Sequence, residues 1–453
     1  MHALHSASAG GGIIGCTTAY YLTRHPTYNP ELHSITLLEA TSIAAAASGK
    51  AGGLLGLWAY PQCLVPLSYR LHRELAAEHY GSERWGYRRV ECGQLSAIVK
   101  APGVKPQPIQ NKSAQDKPSE DALKVETNGD SAALPIQSTV PDEPKLEEKE
   151  WEKLPKQDEK AAGLLQSSPL PPDLDWIDST LVQEYDQMGQ PGATETSQVH
   201  PFQLTNAMAE LAQEKGVNIR LGAKVTKINH TKSAVQSVSY EDRETSEARV
   251  VDDVTDVIVA AGPWTGRILP RSRVEGLRAH SVVFNADVSP YAVFTDIRLP
   301  TDYVPEHRAK MGQRRKHRGN VDPEIYARPG NEVYACGEPD SEVPLPETAD
   351  LVQCDEAQCD DLIAYIGTVS PVLASASIKA KQACYIPRHM RFGDERGPLI
   401  GQTSVPGVWV AAGHTCWGVQ NGPATGYLMA ELLFDGAAKS ADIEKLDPKK
   451  FKV

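Results

Sequence analysis

A glycine-rich turn near the start of the chain constrains the fold more than any other feature of the sequence. Residues 10–15 read GGGIIG, so Gly10, Gly12 and Gly15 fit the pattern GxGxxG. In a strand–turn–helix unit, the first glycine permits the tight turn, the second lets a pyrophosphate approach the backbone, and the third lets the helix pack on the strand. The N–H groups that open the helix favour negative charge. The turn therefore predicts a site for the phosphates of a dinucleotide.

The residues around the turn carry the rest of this pattern, with one exception. The helix presents Ala19 and Leu22 inward, and a second strand, residues 35–38, ends at Glu39, whose carboxylate can accept hydrogen bonds from a ribose diol. The exception is the segment before the turn, HSASA, because a first strand of this fold is normally a buried apolar run. Either this strand is poorly formed or the start of the sequence is misassigned.

Composition and charge exclude several other classes of protein. The 453 residues suffice for two or three domains, and a net charge of −12 argues against nucleic acid as a partner. The eight cysteines form no CxxC pair, so we expect no metal site. We also expect no transmembrane segment and a cytoplasmic location, because the apolar runs are short and the first ten residues do not resemble a secretory signal.

Residues 100–172 differ in composition from the rest of the chain. They are rich in Lys, Glu, Pro, Ser, Asp and Gln and nearly lack aromatic residues. Such a segment buries too little apolar surface to offset the entropy that ordering costs. We therefore predict a disordered, low-complexity insertion at 100–172, and we keep open the alternative that a protein partner binds through it.

Three further motifs distinguish between the candidate dinucleotides. Residues 47–54 read ASGKAGGL, residues 259–264 read VAAGPW, and residues 413–426 read GHTCWGVQNGPATG. With GGGIIG, they resemble the D-amino-acid oxidase family of flavoproteins, which includes glycine oxidase and sarcosine oxidase. The resemblance covers the ordered chain, and uncharacterised fungal members of the family share the long inserts. An enzyme that uses NAD alone would need neither the first nor the last of these three motifs.

The resemblance implies an α/β fold with two domains and FAD as the cofactor. A discontinuous, Rossmann-like FAD-binding domain of the GR2 type would be assembled from residues 1–92, 196–270 and 371–453. A substrate domain built on a mixed or antiparallel sheet would comprise residues 93–99, 173–195 and 271–370. The partner of such a protein would be a small-molecule substrate.

The resemblance also implies FAD contacts in the first part of the chain. The glycine-rich turn would meet the pyrophosphate, and Glu39 would hold the adenosine ribose. The segment ASGKAGGL would lie beside the pyrophosphate and then near the isoalloxazine ring. The residues concerned, in addition to Glu39, are Gly10, Gly12, Ile13, Ile14, Gly15, Ser48, Gly49, Lys50, Gly52, Gly53 and Leu54.

Further FAD contacts are implied in the middle and at the end of the chain. Val225 matches the position whose backbone contacts adenine. The segment VAAGPW would pass the phosphates at Ala261, Gly262 and Trp264. The last motif would form a flavin loop and then open the last helix, whose N-terminus would stabilise negative charge at the flavin N1–C2=O locus. Its residues are Gly413, His414, Gly422, Pro423, Ala424, Thr425 and Gly426. A plain glycine-rich connection is the alternative.

The family's reaction moves a hydride from a carbon that bears an amine to flavin N5, and dioxygen then reoxidises the flavin. Its amino-acid oxidases clamp a substrate carboxylate with an Arg directly before a Pro. Here Ile386 precedes Pro387, which counts against an amino-acid substrate. The candidate catalytic residues are Arg388 for substrate binding, Lys50 for the reaction with oxygen, and His414 beside the ring. A surface arginine, a lysine that pairs with a phosphate, and a buried histidine with satisfied hydrogen bonds are the alternatives.

Three functions remain open at this point. The first is an FAD-dependent oxidoreductase, an oxidase or dehydrogenase, that acts on the C–N bond of a small amine or amino acid. The second is an enzyme of the same fold with another donor, such as a C–OH group. The third is a flavin-binding protein with little turnover that acts through partners, for instance in trafficking.

Overall fold

The computed structural model describes residues 4–100, 164–188, 192, 195–316 and 319–453. Most of the predicted insertion, residues 101–163, lies outside the described residues, and so do the predictions of disorder and of partner binding for it. Residues 164–172 are described and contain a two-residue strand.

The strands of the described chain are numbered in chain order. They are His5–Ala9 (β1), Ser34–Leu38 (β2), Leu54–Gly56 (β3), Arg88–Arg89 (β4), Glu91–Ile98 (β5), Gln166–Ser167 (β6), Val182–Met188 (β7), Thr196–Gln198 (β8), Asn218–Arg220 (β9), Ala223–His230 (β10), Val235–Asp242 (β11), Glu247–Val251 (β12), Asp256–Val259 (β13), Val274–Asn285 (β14), Tyr291–Arg298 (β15), Glu324–Arg328 (β16), Glu332–Asp340 (β17), Ser377–Arg391 (β18), Asp394–Arg396 (β19), Leu399–Gln402 (β20) and Val408–Ala412 (β21).

The α-helices are numbered in the same way. They are Ile13–Leu22 (α1), Ala47–Lys50 (α2), Val65–Glu78 (α3), Gly81–Arg84 (α4), Pro201–Gln213 (α5), Thr265–Ile268 (α6), Glu306–Lys310 (α7), Glu356–Gly367 (α8), Pro371–Ser375 (α9) and Gly418–Asp435 (α10). Short 3-10 helices cover Gly262–Trp264, Pro270–Ser272, Ala349–Leu351, Thr415–Trp417, Glu444–Leu446 and Pro448–Phe451.

A six-stranded sheet forms the centre of the dinucleotide-binding part. Its order is β20-β21-β13-β1-β2-β9, and every neighbouring pair is parallel except β20 with β21. One face packs against α1, α3, α5 and α10, and the other packs against the antiparallel sheet β10–β12. The Rossmann-like architecture predicted from the sequence is confirmed.

The polar segment HSASA forms the first strand of this sheet. Ser6 and Ser8 are buried, and β1 pairs on both sides with parallel neighbours, β13 and β2. A central strand is stabilised by backbone hydrogen bonds along both edges, so it does not depend on large apolar side chains. The helix α1 packs closely at the end of this strand, because a Cβ on Gly15 would lie 1.9 Å from Gly10 O. The expectation that this strand is poorly formed is wrong.

Beside the dinucleotide-binding part lies a nine-stranded mixed sheet, as the resemblance implied. Its order is β19-β18-β14-β17-β16-β15-β5-β7-β6, and only β15 and β5 run parallel. One face packs against α8 through residues such as Phe284 and Ile325. The opposite face presents Phe294 and Tyr326 to Trp417 and thus meets the C-terminal end of the chain.

We expect the substitution Gly426→Ala to destabilise the fold. A Cβ at Gly426 would lie 2.5 Å from the backbone carbon of Thr17, so α1 and α10 would have to separate. Overpacking of this kind costs about 1–3 kcal/mol, and urea denaturation would measure the loss in the free energy of unfolding. The control is Gly367→Ala in α8, where the nearest atom to the new Cβ would be at 3.4 Å. Equal stability of the two variants would contradict the close packing of α1 on α10.

Candidate functional site

One cavity of about 460 Å³ brings together residues from both ends of the chain. Its wall is formed by the glycine-rich turn, by residues 45–54, by the end of β13 with the following 3-10 helix, and by residues 411–419. The volume lies in the range typical of small-molecule sites. The carboxyl ends of β1, β2 and β13 open into the cavity, which is where ligands bind in open α/β sheets.

The glycine-rich turn has a backbone that only glycine tolerates at its first position. Gly10 adopts φ = +122°, and a Cβ there would lie 2.3 Å from Ala260 O. At Gly12, a Cβ would lie 3.0 Å from Ser48 Oγ and would fill the space in front of the first turn of α1. This open cradle at a helix N-terminus fits the pyrophosphate of FAD.

Two predicted side chains hold the cradle in place. The Ile13 N–H donates to Ser48 Oγ at 2.9 Å, and the Gly11 N–H donates to Glu39 Oε2 at 2.7 Å. Glu39 Oε1 accepts from the N–H and the hydroxyl of Thr41 at 2.8 and 2.9 Å. Because Oε2 accepts one hydrogen bond from the backbone, it keeps a lone pair for a further donor such as a ribose hydroxyl.

Most of the predicted FAD contacts line this cavity. The residues that do so are Gly10, Gly12, Ile13, Ile14, Glu39, Ser48, Lys50, Gly52, Gly53, Leu54, Val225, Ala261, Gly262, Trp264, Gly413 and His414. Those that do not are Gly15, Gly49, Gly422, Pro423, Ala424, Thr425 and Gly426. Gly15 instead lets α1 pack on β1, and a Cβ on Gly49 would lie 2.1 Å from Ala44 O.

The prediction that residues 422–426 open the last helix is wrong. The helix α10 begins at Gly418, so residues 422–426 lie inside it. Gly422 and Gly426 face α1, since their Cβ atoms would lie 2.8 Å from Ile13 Cγ1 and 2.5 Å from the Thr17 backbone. A pair of glycines four residues apart serves close helix packing as readily as it serves a loop. The residues that line the cavity at the start of this helix are instead Thr415, Cys416, Trp417, Gly418 and Val419.

His414 is buried in the wall of the cavity as a neutral imidazole. Its Nε2 lies 3.0 Å from Thr425 Oγ1, and the Thr425 hydroxyl donates to Asn421 O at 2.8 Å. Because that hydroxyl has one hydrogen, His414 Nε2 is the donor and Nδ1 carries the lone pair. Burial lowers the pKa of His414 to about 3, so the ring is uncharged at neutral pH.

The two basic residues predicted from the sequence lie in different places. Lys50 lines the cavity, and its Nζ donates to Ala383 O at 3.0 Å. Arg388 lies outside the cavity wall, with Nη2 3.3 Å from Glu275 Oε1. Its position therefore gives no support to the hypothesis that Arg388 binds substrate.

Part of the cavity wall comes from the mixed sheet and was missed by the sequence analysis. Phe294, Glu324, Tyr326, Tyr334 and Cys336 line it from β15, β16 and β17. Alternation along the strands signals that such residues share a face. It does not tell which face meets the cavity, because that depends on how the two sheets pack. Ile386, where the family's arginine is expected, also lines the cavity and is 7% exposed.

The described part of the chain shows neither a metal centre nor a membrane span. Within it, no group of three His, Cys, Asp or Glu side chains is arranged to hold a metal ion. None of its helices is both long enough and apolar enough to cross a membrane.

Comparison with known proteins agrees with this geometry. A family model described as DAO, FAD-dependent oxidoreductase, matches residues 9–432. TDA3 of Saccharomyces cerevisiae, which carries the name of an oxidoreductase, is 35% identical over 517 residues, covering 98% of this chain and 94% of TDA3.

Solved structures share the fold at low sequence identity. Glycine oxidase from Geobacillus kaustophilus has a TM-score of 0.64 at 17% identity, covering 99% of this chain and 98% of the oxidase. Iminodiacetate oxidase from Chelativorans sp. BNC1 has a TM-score of 0.63 at 16% identity, covering 98% of each chain. The chain therefore belongs to the DAO family of FAD-dependent oxidoreductases.

Proposed function

We propose that the cavity holds FAD between the two ends of the chain and that the enzyme oxidises the C–N bond of a small amine or amino acid. The observation that carries the proposal is that residues 10–14 and residues 411–419 line one cavity although about four hundred residues separate them. When bound, FAD would supply the acceptor for the hydride from the substrate carbon and would pass the electrons to dioxygen.

The chain's own residues would bind and orient the cofactor. The first turn of α1 would hold the pyrophosphate, and Glu39 would hold the adenosine ribose. Val225, Ala261, Gly262 and Trp264 would line the side of the adenosine and phosphates, while Lys50, Gly52, Gly53 and Leu54 would line the side of the ring. These roles combine the cavity wall with the family resemblance.

The N-terminus of α10 supports a redox role for the ring end of the cavity. This 18-residue helix opens at Gly418, which lines the cavity, so its positive dipole end is directed there. Such an end stabilises negative charge that develops on a bound ring. His414, neutral and held by Thr425, would add polarity beside the ring without adding a charge.

An amine or amino acid is the substrate class that the comparisons favour. The similar folds belong to proteins named for glycine and for iminodiacetate, and both compounds contain a C–N bond. Ile386 in the cavity wall favours an amine without a carboxylate, since an apolar side chain cannot pair with that charge.

Anaerobic reduction of the purified FAD-loaded enzyme tests the proposed reaction. We expect at least one compound from a panel of amines and amino acids to bleach the flavin absorbance, and readmission of air to restore it. Alcohols and hydroxy acids of matching size form the control panel. Bleaching by the control panel alone would contradict C–N oxidation and would favour a C–OH donor.

We expect Glu39→Ala to weaken FAD binding about tenfold to a hundredfold, because a hydrogen bond to a charged group contributes about 1.5–3 kcal/mol. The variant removes the carboxylate that holds the Gly11 N–H and that would meet the ribose. Titration of the apoprotein with FAD measures the dissociation constant. The exposed neighbour Glu31→Ala is the matched control. Unchanged affinity in Glu39→Ala would remove Glu39 from the site.

We expect Lys50→Met to slow reoxidation by dioxygen roughly tenfold, a change of about 1.4 kcal/mol in the barrier, and to leave anaerobic reduction nearly unchanged. A positive charge in the cavity stabilises negative charge that develops on oxygen. Stopped-flow spectroscopy measures the two half-reactions separately. The exposed Lys215→Met is the control. Equal slowing of both half-reactions in Lys50→Met would indicate a positioning role instead.

A further inference from the structure

A row of paired residues crosses the mixed sheet and forms one wall of the cavity. Gln382 pairs with Ser281, Ser281 with Cys336, Cys336 with Glu324, and Glu324 with Phe294. Directly paired residues lie on the same face of a sheet. All of this row except Gln382 line the cavity, so Glu324 places a carboxylate among cavity-lining groups.

The Glu324 carboxylate has neutral partners. Its Oε2 accepts a short hydrogen bond from the Tyr326 hydroxyl and a longer one, at 3.7 Å, from Cys336 Sγ. Among the described residues, no Lys, Arg or His forms an ion pair with it. A carboxylate without a cation in an enclosed site favours a ligand that brings one.

Aromatic rings surround this carboxylate. The rings of Tyr326 and Tyr334 are nearly parallel with centroids 6.0 Å apart, and Phe294 meets Tyr326 edge to face at 5.9 Å. Trp417 lines the same cavity. Aromatic faces attract ammonium groups, and the attraction is greater where water is excluded. Because the Arg328 guanidinium already lies 5.0 Å from the Tyr334 centroid, the Glu324 carboxylate with the Tyr326 and Phe294 rings forms the set of groups suited to a further cation.

The basic side chains of the cavity wall are occupied elsewhere. Lys224 Nζ lies 2.9 Å from Glu347 Oε2, and Arg267 Nη1 lies 3.1 Å from Glu347 Oε1. Lys50 donates to Ala383 O on β18, three strand spacings from β16, a separation of roughly 14 Å. Lys224 and Arg267 thus share Glu347 as their anion, and Lys50 lies too far from Glu324 for a direct ion pair.

We propose that Glu324, with Tyr326 and Phe294, binds a positively charged group of the substrate, so that the substrate is an amine with a second, remote cation, such as a diamine. The proposal rests on the proposed function and specifies its substrate class. The cation at Glu324 is not the reacting nitrogen, because an ammonium group has no lone pair to support the developing C=N bond.

Binding to the wild-type, FAD-loaded enzyme provides the first test. The ligands are α,ω-diamines with three to eight carbons, n-alkylamines in which a methyl replaces the second amine, and glycine. Calorimetry and perturbation of the flavin spectrum measure the dissociation constants. We expect one diamine to bind about tenfold to a hundredfold more tightly than its alkylamine match. An alkylamine or glycine that binds as tightly as every diamine would overturn the proposal.

The substitution Glu324→Gln provides the second test, and it keeps an acceptor for the Tyr326 hydroxyl. We expect the preference for the diamine to disappear while the affinity for the alkylamine stays within about twofold, since only the charge is lost. Glu184→Gln, an exposed change on β7 of the same sheet, is the control. FAD content and thermal stability establish that both variants fold. If Glu324→Gln does not fold, the comparison of diamines with alkylamines on the wild-type enzyme decides the proposal.

The cation site and C–N oxidation can be tested separately. If the diamine binds in a Glu324-dependent manner but no amine bleaches the flavin, the cation site stands and C–N oxidation is wrong. If alkylamines or amino acids bleach the flavin and Glu324→Gln changes diamine and alkylamine equally, C–N oxidation stands and the cation site is wrong.

Discussion

The close packing of α1 on α10 is the contact on which the site depends. Thr17 Oγ1 lies 2.8 Å from Gly422 O, a contact between residues 405 positions apart, and 2.7 Å from Ile13 O, so its single hydrogen is placed between the two helices. Gly422 and Gly426 remove the side chains that would keep the helices apart. Because α1 begins at the glycine-rich turn and α10 begins at residue 418, their packing sets both N-termini against the same cavity. Two helix dipoles thus favour negative charge at two points of one site.

The cavity wall has two parts with different chemistry. The turn, Ser48 and Glu39 provide backbone N–H groups and oxygens that suit phosphates and a ribose. The mixed sheet contributes aromatic rings, the apolar Ile386 and the carboxylate of Glu324. A cofactor held at the first part would leave the second for a substrate, and the proposed preference for a cationic amine follows from that second part.

The local motifs could be predicted from the sequence because each one acts through its own residues. Residues 10–14, Glu39, and the segment ASGKAGGL apart from Gly49 line one cavity. The first strand could not be predicted, because its backbone is held by pairing with β2 and β13 rather than by apolar side chains at Ser6 and Ser8. The pair Gly422 and Gly426 was misassigned for a similar reason, since only α1 reveals its role. Glu324 and the aromatic residues reach the cavity through packing of one sheet beside another.

A crystal structure of the chain grown with FAD tests the central claim most directly. The account predicts the pyrophosphate within hydrogen-bonding distance of the N–H groups that open α1, and the isoalloxazine ring beside residues 413–418. A ring that lies away from the C-terminal segment, or FAD bound outside this cavity, would contradict it.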